Sequence, residues 1–308
     1  MAEVAGMMLR RKPKQVFTIF ITWNLGALWR RIKKFQRPWA TYLPRRHLEI
    51  PVDTTTEVNR SSEKYLRATK NINPYAPEII GLAMKLGLKE KSKIDYIKAA
   101  YTWVKNNLYW YMETPPIGVD DILKKGYGLC FSKMMVYAAL ARVAGIPARF
   151  VSYKQKMNRG FMNMTAGEMG LADLAQDIIA NAPAFTHGCV ELLIDGKWMP
   201  TDLTWTDAEE VGLDMRLTEF GDSPFDGKWY DILPETIIRQ EDPMDLSKAK
   251  YQIAFSVFIL RGAYDRVNER FKNIREAGQK KLAEVGREVY KARKEKLSVP
   301  QPPLIFDE

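Results

Sequence analysis

Three side chains in the middle of the sequence are of the types that carry out acyl transfer. The chain offers few alternatives, because it has only two cysteines and two histidines. Cys130 stands at the start of an apolar segment with helical periodicity. The free N–H groups and the dipole of a helix N-terminus favour the thiolate, which is the attacking form of cysteine. His187 and Asp202 follow on a predicted pair of strands, so the three residues can supply a nucleophile, a proton shuttle and a carboxylate that fixes the imidazole tautomer.

The turn between the two strands decides whether His187 and Asp202 can meet. Asp195-Gly196 is a strong signal for a two-residue hairpin turn. With that turn, His187 and Asp202 project from one face as diagonal neighbours, roughly 7–8 Å apart at the backbone. An odd-length turn would place them on opposite faces. The alternative is structural, with Cys130 as a small buried side chain, His187 at a strand end and Asp202 at the start of a turn.

The remaining residues give no sign of a metal ion or a cofactor. His47 lies beside Arg45 and Arg46 in a basic segment and is interpreted as solvated. Two cysteines and two histidines at these spacings do not form a zinc site. The sequence has neither a glycine-rich phosphate loop nor a dinucleotide-binding fingerprint. We therefore expect no cofactor and no metal.

The predicted elements place helices before the strands that carry His187 and Asp202. The helix that begins at Cys130 is apolar on most faces and should be buried, and Gly145 ends it. A Met-rich insertion at 154–184, with a predicted helix at 168–180, is either a packing element or a lid. Residues 205–240 are predicted to be loop-rich, with short strands near 228–232. The predicted helices are 77–86, 92–109, 121–125, 130–144 and 249–297, and the predicted strands are 148–153, 187–194 and 198–203.

Charge divides the chain into three parts. The net charge is +10, of which residues 1–49 hold +9 and residues 261–296 hold +6, so the remainder is mildly acidic. We predict a basic aromatic arm and linker at 1–60, a catalytic domain at 61–240, and a C-terminal helical extension and tail at 241–308. An apolar seam in the long C-terminal helix permits pairing with another helix but does not require it, so the oligomeric state stays open. The seam consists of Leu260, Tyr264, Val267, Phe271 and Ile274, and it resumes after Gly278 at Leu282, Val285 and Val289.

The arm at 1–50 has two interpretations. It can pack on the domain as an amphipathic helix, or it can lie on an anionic membrane with its tryptophans at headgroup level. Its most apolar run, 16–29, is shorter than the roughly 20 residues of a membrane span, and no signal-peptide cleavage site follows it. Nothing indicates a nucleic-acid recognition module. Two cysteines cannot form a disulfide framework, so we predict a cytoplasmic protein, with peripheral membrane contact as the alternative for the arm.

Several motifs closely resemble the transglutaminase-like superfamily. They are Gly128-Leu129-Cys130, the run RVAGIPAR at 142–149, His187, and Asp202-Leu203-Thr204, preceded by YTWVKNNLY at 101–109. The resemblance covers about residues 61–231. It implies a papain-like α+β core, with an N-terminal helical lobe packed on an antiparallel sheet and a Cys130–His187–Asp202 triad. The sequence departs from the family at Cys189, where an aromatic residue is usual, and at Leu203, where proline is frequent.

The resemblance implies thiol-dependent acyl transfer on an amide of a protein or peptide substrate. Cys130 would form a thioester, with its own N–H in the oxyanion hole and Trp103 and Trp110 as candidates for the second donor. We favour water as the acceptor, hence a peptidase or amidase, by analogy, because the sequence shows none of the extra β-domains of the animal cross-linking enzymes.

Three alternatives accompany this interpretation. An amine acceptor would give protein-glutamine transamidation, the cross-linking reaction. A non-catalytic scaffold would dock on a membrane or a partner through the basic arm and the C-terminal helix. A regulatory disulfide between Cys130 and Cys189 is disfavoured, because most cysteines in reducing compartments stay free.

Overall fold

The fold is taken from a computed structural model that describes six ranges of the chain. These are residues 48–58, 60–111, 118–156, 184–225, 232–243 and 250–296, without the side chains of 184–186, 250–266 and 295–296. The basic arm up to residue 47, which includes His47, therefore lies outside the described residues. So do the helix predicted at 168–180 and most of the strand predicted near 228–232.

The described ranges contain seven helices and six strands, numbered here in chain order. The helices are α1 (Pro77–Lys85), α2 (Lys93–Asn107), α3 (Val119–Lys125), α4 (Cys130–Val143), α5 (Asp207–Gly212), α6 (Lys250–Val285) and α7 (Arg287–Lys296). The strands are β1 (Tyr109–Trp110), β2 (Tyr127–Gly128), β3 (Ala148–Lys156), β4 (Ala184–Ile194), β5 (Lys197–Thr201) and β6 (Ile232–Gln240). Helices α1–α4 and strands β3–β5 confirm the predicted order. In the segment 205–240, which is predicted to be loop-rich, α5 is a helix that the sequence analysis does not predict. Strand β6 begins where the short strands near 228–232 are predicted and extends to Gln240.

Local signals explain where several helices begin and end. The Ser92 hydroxyl accepts a hydrogen bond from a backbone N–H of the first turn and so caps α2. Gly126 ends α3 with a φ of 74°, and Gly145 follows α4 with a φ of 68°, a conformation that glycine adopts without strain. Helix α5 begins with a capping box in which Thr206 and Glu209 each accept the other's backbone N–H.

A four-stranded antiparallel sheet packs one face on the helices. Its strand order is β5-β4-β3-β6. Phe150, Val190 and Leu192 are fully buried in the main core, together with side chains of α1–α4. A separate two-stranded parallel pair, β1 with β2, joins the end of α2 to the residues just before α4. The fold is of the mixed α+β class that the sequence predicts.

Helix α4 is the central element of the core. Every side chain from Ser132 to Val143 is buried, as the apolar character of this segment predicts. The helix contacts α1, α2 and α3 on one side and β4 on the other. Because α4 begins at Cys130, the tight packing of the helix fixes the backbone position of that residue.

The C-terminal helix α6 packs against α5. Its Val267 and Phe271 are buried against Trp110. At Gly278 the two helix backbones touch, because a Cβ atom there would overlap the carbonyl oxygen of Ala208 in α5. The apolar seam predicted from the sequence therefore buries at least part of its length within the chain itself.

The helix break and one seam position differ from the prediction. The helix is interrupted at Gly286, with a φ of 81°, between α6 and α7. Val289, predicted to continue the seam, is 49% exposed, whereas Tyr290 is buried and packs with Val211 and Leu217. The spacing of the seam therefore does not continue from α6 into α7 across the break at Gly286. Among the helices described, none is both long and apolar enough to cross a membrane.

Candidate active site

Cys130 is the first residue of α4, as predicted. Leu129 precedes it in extended conformation, and the N–H of Leu129 donates to the hydroxyl of Ser132 at 3.1 Å, which caps the first turn. The preceding strand β2 pairs with β1 through Trp110 and Gly128. Cys130 itself is partly exposed and stands at the N-terminus of the buried helix α4.

The hairpin register confirms the prediction from the turn. Asp195 and Gly196 have φ values of 50° and 76°, the positive angles that a two-residue hairpin turn needs. Ile194 pairs with Lys197, and the ladder continues in register along β4 and β5. His187, on β4, and Asp202, one residue past the end of β5, are therefore brought to the same part of the hairpin.

His187 and Asp202 form a buried hydrogen bond. Nε2 of His187 lies 2.9 Å from Oδ2 of Asp202, and the two residues are 4% and 7% exposed. Thr204 donates its backbone N–H and its hydroxyl to the other carboxylate oxygen, Oδ1, at 2.8 and 2.7 Å. Burial alone would raise the pKa of Asp202, but the imidazole and the Thr204 donors outweigh it and the pKa is lowered.

The imidazole also interacts with the Cys130 side chain. Burial opposes the charged ring, but the Cys130 sulfur and the Asp202 carboxylate outweigh burial and raise the pKa of His187 to about 10. Because Nε2 faces Asp202, Nδ1 is the ring nitrogen left for the sulfur. The structure thus brings all three predicted residues together, with the ring between the thiol and the carboxylate.

Tyr153 and Cys189 fill the space beside the imidazole. The Tyr153 ring, on β3, meets the His187 ring edge to face at 5.6 Å. Cys189 is fully buried in the same cluster, and burial raises the pKa of its thiol well above the usual value. Both cysteines are free. At the position where the resemblance leads one to expect an aromatic residue, this chain has a small buried thiol, and an aromatic ring lies on the neighbouring strand β3.

The two tryptophans considered as oxyanion donors lie in different places. Trp103 packs from α2 against the main core. Trp110 lies in an aromatic cluster with Trp205 and Phe271, against which Leu129 packs. The cluster places Trp110 beside the residue that precedes Cys130, while its role as a second donor stays a prediction.

A group of buried charges behind the site was not predicted. Lys105 of α2 forms ion pairs with Asp207 and Glu210 of α5. Lys133 of α4 is fully buried as well, and its ammonium donates to backbone carbonyl oxygens. The capping-box pattern of Thr206 and Glu209 could have indicated α5. No local pattern indicates that Lys105 pairs with carboxylates about a hundred residues away.

The described residues hold no group of acidic, histidine and cysteine side chains that could bind a metal ion. The candidate site itself brings together a thiol, an imidazole and a carboxylate that is hydrogen-bonded to the imidazole.

A comparison with protein families identifies part of the chain. Residues 81–203 match the family model of the transglutaminase-like superfamily, and that range contains Cys130, His187 and Asp202. A candidate cysteine protease from Cytophaga hutchinsonii, of known crystal structure, is 16% identical with a TM-score of 0.36. The match covers 60% of this chain and 47% of that protein, so this chain spans less than half of its length. Among curated proteins, none matches the sequence. Residues 81–203 of this chain are a transglutaminase-like domain.

Proposed function

We propose that this protein is a thiol-dependent amide hydrolase, a peptidase or amidase, in which Cys130 is the nucleophile. The observation that carries the proposal is the position of the His187 ring, which is hydrogen-bonded to Asp202 and also interacts with the Cys130 side chain. A nucleophile, a base and a residue that orients the base in this order are the requirements of covalent acyl transfer.

The proposed reaction has two halves. Sγ of Cys130 attacks the carbonyl carbon of the amide, and the oxyanion accepts a hydrogen bond from the backbone N–H of Cys130. His187 then gives its proton to the leaving nitrogen, the C–N bond breaks, and a thioester remains on Cys130. Water next attacks the thioester carbonyl while His187 takes its proton, and the C–S bond breaks to release the acid and restore the Cys130 thiolate beside the protonated ring.

Asp202 acts through the imidazole. Its carboxylate accepts a hydrogen bond from Nε2, which leaves Nδ1 as the atom that exchanges the proton with sulfur and substrate. The two Thr204 donors hold the carboxylate in one orientation. The tautomer and the direction of the ring are therefore set before substrate binds, as acid–base catalysis requires.

The test combines a fluorogenic peptide-amide library with variants of the two cysteines. We expect Cys130→Ala to abolish cleavage. Cys189→Ala is the matched control, since it removes the other thiol, which is fully buried, and we expect it to keep the activity. Iodoacetamide at neutral pH should label the native chain at Cys130 only. Equal cleavage or equal labelling of wild type and Cys130→Ala would contradict the proposal.

The acceptor is tested in the same assay with an excess of a primary amine. Hydrolysis predicts release of the acid product in the presence of the amine. Incorporation of the amine into a glutamine side chain, with Cys130 still required, would replace hydrolysis by transamidation as the reaction of this site.

A further inference from the structure

Lys133 is a buried cation that the proposed reaction does not use. It lies on α4, one helical turn after Cys130, and its side chain is fully buried. Its Nζ atom donates hydrogen bonds to the carbonyl oxygens of Thr204, at 3.1 Å, and Lys105, at 2.9 Å. Desolvation of an ammonium group is costly, so we expect a role that requires the charge at this position.

The carbonyl group that Lys133 binds belongs to the residue that holds Asp202. Thr204 donates both its N–H and its hydroxyl to Oδ1 of Asp202. The other oxygen, Oδ2, bonds His187, whose second partner is Cys130. Lys133 thus contacts Thr204, Thr204 contacts Asp202, and Asp202 contacts His187, which interacts with Cys130. Both ends of this series of contacts lie in the first turn of α4.

We infer that Lys133 is a positioning residue of the site, which ties the loop that carries Asp202 to the helix that carries Cys130. This inference rests on the proposed function. The hairpin and α4 are separate elements, so any sliding between them would change the distance from sulfur to imidazole. A misplacement of about 1 Å can cost about 10²-fold in rate. The Lys133 side chain, which belongs to α4, donates a hydrogen bond to the loop that carries Asp202 and so opposes this sliding.

The surroundings of Lys133 suit a charged donor. Burial lowers its pKa to about 8; Glu209, Glu210 and Asp202 act in the opposite direction, whereas Lys105 adds to the lowering. The side chain therefore keeps its proton at neutral pH in most molecules. Hydrogen bonds from an ammonium group are stronger than those from neutral donors, which favours a firm connection to the two carbonyl oxygens.

The test compares Lys133→Met with Arg142→Met. Arg142 is the matched control, because it lies on the same helix, is also buried, and donates to the carbonyl oxygens of Ala148 and Glu241. We expect Lys133→Met to lower kcat by about 10²-fold with little change in KM. Arg142→Met should lower only the folded fraction. Equal kcat values per folded molecule in the two variants would overturn the inference.

A second pair of variants applies if Lys133→Met does not fold. Thr204→Val removes the hydroxyl that bonds Asp202 but keeps the carbonyl that Lys133 binds. We expect kcat to fall about tenfold, in line with the loss of one hydrogen bond to a charged group, and Thr204→Ser to restore most of it. A Thr204→Val enzyme with the wild-type kcat would contradict the role of this connection.

Two readouts separate this inference from the proposed function, because neither needs turnover. They are the NMR titration of the His187 ring and the rate at which iodoacetamide alkylates Cys130. In Lys133→Met we expect the ring to titrate at lower pH and the alkylation to slow. A wild-type chain that is alkylated at Cys130 but cleaves no amide contradicts only the proposed function. Unchanged titration and alkylation in Lys133→Met contradict the inference, whatever the chain cleaves.

Discussion

Arg275 on α6 and Glu209 on α5 form an ion pair with 2.8 Å between Nη1 and Oε1, and the two side chains are 4% and 0% exposed. The guanidinium also stacks on the ring of Tyr109 at 3.8 Å from its centroid. Glu209 in turn accepts the backbone N–H of Trp110. This pair therefore connects the C-terminal helix to strand β1, which leads by its pairing with β2 to the nucleophile.

The first prediction concerns this ion pair. Arg275→Met should lower the free energy of unfolding by about 3–5 kcal/mol, because it leaves the Glu209 carboxylate buried without its partner. Urea unfolding followed by circular dichroism measures the change. Lys272→Met is the control on the same helix, since the Lys272 side chain is 59% exposed in a surface pair. Equal stability of the two variants would show that the buried pair contributes nothing.

The carboxylate of Asp202 offers a second prediction. Asp202→Asn should reduce kcat by up to about 10⁴-fold, because an amide cannot hold the imidazole in the required tautomer. Initial rates with the peptide-amide substrates measure the loss. Asp195→Asn, in the turn of the same hairpin, is the control, because asparagine tolerates the positive φ found there. An Asp202→Asn enzyme as active as Asp195→Asn would mean that the carboxylate does not orient the ring.

The protonation of His187 gives a third prediction. Its pKa is raised from 6.5 to about 10, so the ring should still be protonated at pH 8, where an ordinary histidine is neutral. The resulting stabilisation is complete below pH 6.5 and is lost as the pH rises towards about 10. Two-dimensional NMR of the ring nitrogens follows the titration, with His187→Gln for the assignment.

Cys130→Ala extends the same experiment. The sulfur is the strongest of the groups that raise the pKa of His187, so its removal should bring the titration to lower pH. The Cys189→Ala variant should leave the titration as in wild type. Both histidines titrating near 6.5 in the wild-type chain, or no shift in Cys130→Ala, would show that sulfur and ring do not interact.

A fourth prediction concerns the close contact at Gly188. A Cβ atom on this residue would lie 2.7 Å from the carbonyl oxygen of Val151 and 2.8 Å from the ring of Phe131. Gly188→Ala should therefore move β4, which carries His187, at a cost of about 1–3 kcal/mol in stability, and lower kcat. Gly118→Ala is the control, because its neighbour is only the flexible Asp120 side chain. Urea unfolding curves and initial rates of the two variants test the prediction. Equal stability and equal kcat in Gly188→Ala and Gly118→Ala would contradict it.

The basic arm carries a fifth prediction. Residues 1–49 hold eleven basic and two acidic side chains, so the chain should float with liposomes that contain anionic lipid and not with neutral ones. A chain without residues 1–50 should stay at the bottom of the gradient. Equal flotation of both chains, or none by either, would exclude the arm as a membrane anchor.

The parts of the site that the sequence predicts are those with local signals. Gly128 and the long apolar helix that follows it indicate Cys130. The two-residue turn at Asp195-Gly196 predicts the register of His187 and Asp202. These signals lie within a few positions of the residues they place. The structure confirms both placements, whereas the catalytic role of the three side chains is tested by the experiments above.

The parts that were missed depend on contacts between distant segments. Lys105 and Lys133 sit on helices whose periodicity correctly predicts burial, but periodicity does not tell which buried position holds a charge. Their partners on α5 and in the Asp202 loop become neighbours only when the sheet packs on the helices. The packing partner of the C-terminal seam is likewise not predictable from the sequence, because an apolar stripe does not tell whether it packs on its own chain or on another.

Gly278 makes the union of α5 and α6 sensitive to a single methyl group. The backbones of the two helices are in direct contact here, so the methyl group of an alanine would overlap the Ala208 carbonyl oxygen and push the helices apart. Residue 278 is far from Cys130 in the sequence and lies outside the range 81–203 that matches the family model. Gly278→Ala would thus weaken the contact between α5 and α6. The amide-cleavage rate of this variant would show whether the proposed reaction depends on the packing of the C-terminal helices.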